Sequence, residues 1–312
     1  MFKYTLDNKR YHTFNYFLKT KFNKKVFKVA LDAGFTCPNK KTGGCIYCSE
    51  GSKSNITDNK KNILEQFEEV KNIMLKKWPD SYYIPYLQAN TNTYESVEKL
   101  KEIYEPLLKL DNVVGLAIAT RPDCISDEVL DYLEDINKRT FLMVELGLQS
   151  SNDETLKFIN RGHDVKCFDN MVKKLKDNNI FVVAHIINGL PYETKEDMMN
   201  TVKHLNSLNI DAIKIHMLHI VKNTQLEKIY EKKPFHILTK EEYIDIVCDQ
   251  LTYLKPEIVI ERITGDPIKE NLIEPTWLIK KFVFLNDIDK EMKKRNIYQG
   301  NSINKTALSD KK

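Results

Sequence analysis

Cys37-Pro38-Asn39-Lys40-Lys41-Thr42-Gly43-Gly44-Cys45-Ile46-Tyr47-Cys48 gathers three thiols into twelve residues, shortly after the apolar run Val26 to Leu31. A Cys-x2-Cys pair suits neighbouring irons of a cubane cluster, and Cys37 brings a third thiolate across a loop that Gly43 and Gly44 allow to bend. Three thiolates with no fourth leave one iron open, and an open iron can bind and reduce a small molecule. Structural zinc is the competing reading, but it usually takes four protein ligands. Here there is one Cys-x2-Cys, and the nearest histidines, His12 and His163, lie far away in sequence.

The remaining composition is that of a soluble enzyme. The 312 residues are 42% hydrophobic and 29% charged, enough for one large core with appendages. No apolar run approaches a membrane span and the N-terminus is not a signal peptide, so a cytoplasmic protein is expected, with no membrane contact. Six cysteines are too few for a disulfide scaffold, and the clustered ones read as metal ligands. Cys167 and Cys248 fall in amphipathic helical patterns, as buried hydrophobes do. Residues 1–28 carry eight basic side chains against one acid, Asp7, interleaved with eight aromatics. That pattern suits a phosphate backbone and unstacked bases, whereas Phe14, Phe17 and Phe22 equally suit docking on a core. Arginine is scarce among the 48 basic residues, which makes Arg121, Arg161 and Arg262 informative, since lysine cannot copy a planar fork.

Working outward, β-branched runs alternate with helical periodicity. Strands are predicted at Val26–Ala33, Tyr82–Leu87, Val113–Ala119, Phe141–Leu148, Ile180–Ile187, Ala212–Ile220 and Glu257–Ile263, with helices between them. At least six βα units predict an α/β fold, a partial or near-complete (β/α) TIM-type barrel. No Gly-x-Gly-x-x-Gly follows the first strand, which argues against a dinucleotide fold. The expected divisions are a basic aromatic arm (1–25), the barrel (26–263), a C-terminal extension packing on it (264–300) and a disordered tail (301–312). The unusual polar residues follow strands, where barrel enzymes keep their chemistry: the cysteines, Gln88 to Asn92, Arg121 to Cys124, Glu145 to Gln149, His185 to Pro191, and Arg262.

With aromatic Tyr47 before the last cysteine, the loop resembles the signature of the radical S-adenosylmethionine (SAM) superfamily. The seven residues between Cys37 and Cys45 resemble the branch that holds the YhcC-type proteins and the catalytic subunit of Elongator. Further stretches resemble the YhcC type: Asp32 to Asn39, Gln88 to Thr93, Thr120 to Cys124, Glu145 to Ser150 and Arg161-Gly162-His163. The resemblance implies a barrel of the radical SAM kind, with Cys37, Cys45 and Cys48 holding a [4Fe–4S] cluster whose open iron chelates SAM. It implies that Tyr47 lies along the adenine, Gln149 meets the ribose and Arg161 forks onto the methionine carboxylate. Asn188 and Gly189 match the fifth-strand turn beside the adenine, and His185 would face the ribose. Glu145 would meet the amino group of SAM or a substrate donor. Gln88-Ala89-Asn90 stands where many relatives have Gly-Gly-Glu, which leaves the ligand of the amino group open.

Cys124, after the third strand, is a candidate hydrogen-atom donor or covalent substrate anchor; an inert thiol is the alternative. Arg121 and Arg262 are further candidates for catalysis. An electron donor such as flavodoxin or ferredoxin is implied, and a monomer is expected. The leading expectation is a radical SAM enzyme acting on tRNA or another RNA, from the basic arm and the Elongator likeness. The alternatives are the same chemistry on a small molecule or protein side chain, and a zinc-stabilised RNA-binding protein without catalysis.

Overall fold

All seven predicted strands pair side by side in one parallel sheet. The computed structural model describes residues 2–49 and 60–303. In chain order the elements are α1 (Phe14–Phe22), β1 (Lys25–Leu31), α2 (Ile63–Leu75), β2 (Ser81–Leu87), α3 (Val97–Leu108), β3 (Gly115–Thr120), α4 (Asp127–Arg139), β4 (Phe141–Gln149), α5 (Asp153–Phe158), α6 (Val165–Asp177), β5 (Phe181–Asn188), α7 (Lys195–Ser207), β6 (Ala212–Met217), β7 (Ile220–Val221), α8 (Gln225–Lys232), α9 (Lys240–Tyr253), β8 (Val259–Arg262), β9 (Leu272–Glu274) and α10 (Lys281–Lys294). The large sheet runs β1-β2-β3-β4-β5-β6-β8, and β7 pairs with β9 in a separate antiparallel ribbon. Side-chain oxygens start the helices: Asn62 and Glu65 form a capping box on α2, and Ser96 and Ser126 cap α3 and α4.

The sheet curls into an open barrel, and a layer of charge inside it records the curvature. Lys28 on β1 is bonded to Glu145 on β4 and, at 2.6 Å, to Glu261 on β8. Lys214 on β6 pairs with Glu145 and lies 3.2 Å from Glu261. Tyr86 on β2 donates to Glu145 at 2.7 Å, and His185 on β5 approaches the same carboxylate at 2.8 Å. Burial would push the Glu145 carboxyl up, but the ammonium groups of Lys214 and Lys28 hold it well below its usual range. Burial and Lys214 push the His185 imidazole below its usual value, and because a carboxylate can only accept, His185 Nε2–H is the donor to Glu145.

Below this layer the interior is apolar, with Val26, Ile84, Met143, Val183, Ala212 and Val259 packed over Leu18 of α1. The 1–25 segment therefore does not stand apart as an arm. Phe17 of α1 lies against Phe141 and Phe181, the first residues of β4 and β5, with centroids 6.1 and 5.0 Å apart. Thr13 bridges Ile260, so this segment covers the flank of β8 and closes the end of the barrel where strands begin. Its aromatics are spent on packing. Lys28 is inside the barrel, and Lys9 and Lys24 pair with Asp289 and Asp80.

The C-terminal extension packs outside the barrel, with Trp277 and Phe284 against Tyr243 of α9. Of the tail expected to be disordered, 304–312 lie outside the described residues, whereas Ser302 is held by Thr252 through N–H···O and hydroxyl contacts of 2.9 Å. No helix among the described residues is long and apolar enough to cross a membrane.

Replacing Glu145 with Gln leaves the buried Lys28 and Lys214 with Glu261 as their one remaining shared carboxylate. Glu145→Gln is expected to lose about 3–5 kcal/mol of stability in chemical denaturation, because removing one partner of a buried pair leaves the other short of compensation.

Candidate active site

Each βα unit delivers its C-terminal strand end to the same rim as the cysteine loop. After Cys37 the chain makes a 3-10 turn over Pro38–Thr42, and Gly43 and Gly44 take left-handed φ of +93° and +75°. That conformation is open to glycine at little cost. The loop is then pinned by side-chain amides. Asn39, buried, donates to the Asn160 carbonyl at 2.6 Å and reaches Cys45 Sγ at 3.3 Å. Asn160 returns the contact by donating to the carbonyls of Gly44 at 2.7 Å and Thr42 at 3.0 Å. The backbone N–H of Ile46 bonds Ile159, and Ile46 O accepts from Leu226 at the start of α8. Gln225 adds a bond to Gly43 O at 2.9 Å.

Asn160 can serve because it sits at φ +50°, just past the end of α5 at Phe158. Gly162 follows at φ +80°, and a Cβ there would lie 2.5 Å from Asn39 Oδ1. Arg161, between them, is buried, with Nε and Nη2 on Gly147 O at 3.3 and 2.7 Å and Nη1 3.8 Å from Cys45 Sγ. Gly147 is required by the same contact, since a Cβ would meet Arg161 Nη2 and Gln149 Nε2 at 2.6 Å. Gln149, at φ +78°, thus turns its amide towards Arg161 at the end of β4.

The three thiols are electrostatic neighbours. Partial burial, with Cys45 and Cys37 beside it, pushes the Cys48 thiol up to about 11. Burial and Cys45 likewise raise the Tyr47 phenol. Among the described residues no three His, Cys, Asp or Glu side chains converge on a single-ion site. Three thiols close enough to oppose one another's ionisation are the donor set that a cluster with separate irons would take. Arg161 beside Cys45 supplies compensating positive charge.

Other expected site residues divide by whether their polar groups are already used. The side-chain amides of Gln88, Asn90 and Gln149 make no hydrogen bond among the described residues and stand at strand ends on this rim. Asn188, in contrast, is buried and exchanges amide bonds of 2.8 and 2.9 Å with Gln250 of α9, so it ties β5 to that helix. Gly189 is explained by its φ of +83° and by Leu238, 3.0 Å from where a Cβ would sit. Glu145 and His185 belong to the charged layer, with both Glu145 oxygens occupied by donors from the chain itself. Glu145 and the Nε2 of His185 are thus engaged by tertiary pairing across the barrel.

Arg121 is likewise a positioning residue. Nε and Nη2 grip Asp123 at 2.9 and 2.7 Å while Nη1 donates to Arg161 O at 2.8 Å. Arg262 turns to Asp266 at 3.0 Å with its side chain over a third exposed. Cys124 stays near Cys37 electrostatically, and burial with Asp123 pushes its thiol up to about 12, so it is held as the S–H form. Asn39, Asn160 and Gln225 were not among the expected site residues. Asn39 lay inside the quoted motif, and an asparagine tolerant of positive φ next to Arg161 was a usable signal for Asn160; nothing local marks Gln225.

Asn160→Ala removes two amide bonds to the loop, one to the exposed Thr42 carbonyl and one to the half-buried Gly44 carbonyl. About 1–3 kcal/mol is expected to be lost locally. The variant should fold, yet retain less iron per chain than wild type after anaerobic reconstitution, as measured by iron and sulfide analysis.

Comparison with known proteins matches this geometry. Residues 34–205 match the Radical SAM superfamily, and residues 210–294 match the radical SAM C-terminal domain. YtqA of Bacillus subtilis is 47% identical, covering 96% of this chain and 94% of YtqA. YhcC of Escherichia coli is 30% identical over 93% of this chain and 94% of its own length. A tRNA uridine(34) acetyltransferase of Methanocaldococcus infernus is 26% identical over 57% of this chain and 33% of that protein. Among solved structures, the Methanocaldococcus infernus Elp3 shares the fold, with TM-score 0.67 at 19% identity over 88% of this chain and 64% of the other. The chain belongs to the radical SAM superfamily and is an enzyme of that family, with a [4Fe–4S] cluster and S-adenosylmethionine as cofactors.

Proposed function

We propose that Cys37, Cys45 and Cys48 carry the cluster, that SAM binds at its open iron, and that the enzyme modifies an RNA, with tRNA as the favoured substrate. The observation that carries the reading is the cysteine loop itself, tied by Asn39 and Asn160 to the turn that holds Arg161 beside Cys45. Held by Cys37, Cys45 and Cys48, a reduced cluster would supply the one electron needed to cleave the sulfonium of SAM, giving methionine and a hydrogen-abstracting 5′-deoxyadenosyl group.

The chain's own residues orient and shield this chemistry. Arg161 has N–H donors beyond those committed to Gly147, and these suit the methionine carboxylate. The unpaired amides of Gln149, Gln88 and Asn90 suit the ribose and amino groups. Tyr47, in the apolar cluster with Ile46 and Ile159, offers the adenine a flat face. Arg121 holds the Arg161 backbone, so it fixes the carboxylate clamp without touching SAM. The Cys124 thiol, kept protonated, is suited to give up a hydrogen atom.

RNA is favoured because a relative in the curated set is a tRNA uridine(34) acetyltransferase. Six free thiols and an oxygen-sensitive cluster suit the cytoplasm, with flavodoxin or ferredoxin as electron donor.

Anaerobically reconstituted protein is expected to be brown and to release 5′-deoxyadenosine from SAM under dithionite. Cys45→Ala should reduce that release to background. Colourless, zinc-loaded protein that leaves SAM intact would contradict the reading. Nucleoside mass spectrometry of bulk tRNA from cells lacking the protein should show a missing or altered nucleoside; an unchanged profile would point to a small molecule or protein side chain.

A further inference from the structure

Just beyond the charged layer, the concave face of the sheet stays open. Side chains alternate along a strand, so the residues that follow Lys28, His185 and Lys214 on that face are Ala30, Ile187 and His216. Ala119 takes the same place on β3, two residues after Ala117 of the apolar interior. All four are partly exposed, whereas Val29, Ile118, Ile186 and Ile215, which alternate with them and face the helices, are buried. Solvent therefore reaches these side chains from inside the barrel, and two alanines among them leave room for a guest. Ile187 pairs in register with His216 and packs in the same apolar cluster as Ile46 and Tyr47, so this well opens beside the cysteine loop.

The free polar atoms of the well are histidine nitrogens. His185 and His216 have ring centroids 5.5 Å apart and planes at 46°. His185 spends Nε2–H on Glu145, so in the neutral ring Nδ1 carries a lone pair, and no donor among the described residues meets it. His216 has no hydrogen bond on either nitrogen among the described residues. Unlike Glu261 Oε2 and His163 Nε2, which are buried without partners, these three nitrogens keep contact with solvent. Partial enclosure, with His185, Arg262 and Lys214 beside it, pushes His216 well below the usual imidazole range, so it is neutral and offers one N–H and one lone pair. His219, its remaining neighbour, is turned to Met217 O at 3.0 Å. The charges around the well are already matched: Glu145 and Glu261 with Lys28 and Lys214, and Arg262 with Asp266. A carboxylate or phosphate would find no unmatched positive charge here. A neutral group with an N–H beside an acceptor would find a complement to each.

We propose that His185 and His216 bind the hydrogen-bonding edge of one unpaired base of the RNA substrate, His185 Nδ1 accepting from a base N–H and the N–H of His216 donating to the adjacent carbonyl oxygen or ring nitrogen. This inference rests on the RNA reading above and narrows it: the group that enters the barrel is a neutral base and not a phosphate. An enzyme that works on a base takes it out of the stack and reads its pairing edge, and a well inside a barrel admits a single planar ring where a duplex cannot follow. His216 is thus a specificity-determining residue that touches substrate.

The test uses the reconstituted full chain with SAM, dithionite and bulk tRNA from cells lacking the protein. It reads the 5′-deoxyadenosine formed in excess of a tRNA-free control, and the altered nucleoside by mass spectrometry. His216→Ala and His216→Leu are each expected to lower both readouts at least about tenfold, as the loss of hydrogen bonds to substrate would. His216→Gln, which keeps a donor and an acceptor, is expected to stay within about threefold of wild type. Iron per chain should match wild type in all three variants, which reports folding. Wild-type turnover of tRNA by His216→Ala and His216→Leu would overturn the base-edge assignment and leave the RNA reading standing. A His216→Gln variant as impaired as His216→Leu would overturn the hydrogen-bonding role. Wild type that cleaves SAM but leaves this tRNA unaltered would overturn both the assignment and the RNA reading.

Discussion

The amide bonds between Asn39 and Asn160 are the constraint on which the site depends. A loop with three thiols and two left-handed glycines has little reason of its own to hold one shape. It acquires one because the Asn39 amide bonds the Asn160 backbone while the Asn160 amide bonds the loop's Thr42 and Gly44 carbonyls. The same turn orients Arg161 on Gly147, and Arg121 locks it from below through the Arg161 carbonyl. Gly147 and Gly162 are glycine for a physical reason: any side chain would occupy the space of the guanidinium or of Asn39. Metal loop, cation and strand end therefore form one unit, and disturbing any part should be felt at the cysteines.

The barrel interior is layered along its axis. At the strand starts, α1 and an apolar layer seal it; in the middle, Lys28, Tyr86, Glu145, His185, Lys214 and Glu261 satisfy one another; the cysteine loop crowns the strand ends. Buried ion pairs seldom add much net stability, because desolvation offsets attraction. A paired layer still makes mis-registered strands costly, since a shift of one residue turns every charge to the other face. One carboxylate oxygen, Glu261 Oε2, is buried without a partner in this otherwise satisfied set.

Seven strands and the helices between them were legible because alternation and helical periodicity are local properties. The cysteines were legible because their spacing carries chemistry in itself. Residues whose roles depend on distant strands were harder to read. Glu145 looks like a ligand until Lys28 and Lys214 are brought to it across the barrel, and Asn188 looks free until Gln250 of α9 arrives. The aromatics of residues 2–22 fit a nucleic-acid arm as well as a barrel floor; only the position of Phe141 and Phe181 decides between them. Gln299 had no local signal at all, yet its buried side chain receives His12 N–H and donates to Lys255 and Ile258 carbonyls, stitching both ends of the chain to the barrel.

The most direct test of the central claim is electron paramagnetic resonance of the dithionite-reduced, reconstituted protein before and after addition of SAM. If the loop of Cys37, Cys45 and Cys48 leaves one iron open, SAM must change the signal of the reduced cluster, and SAM labelled with ¹⁷O or ¹⁵N at its carboxylate or amino group must show hyperfine coupling to it. A reduced-cluster spectrum that SAM leaves unchanged, without such coupling, would contradict the account.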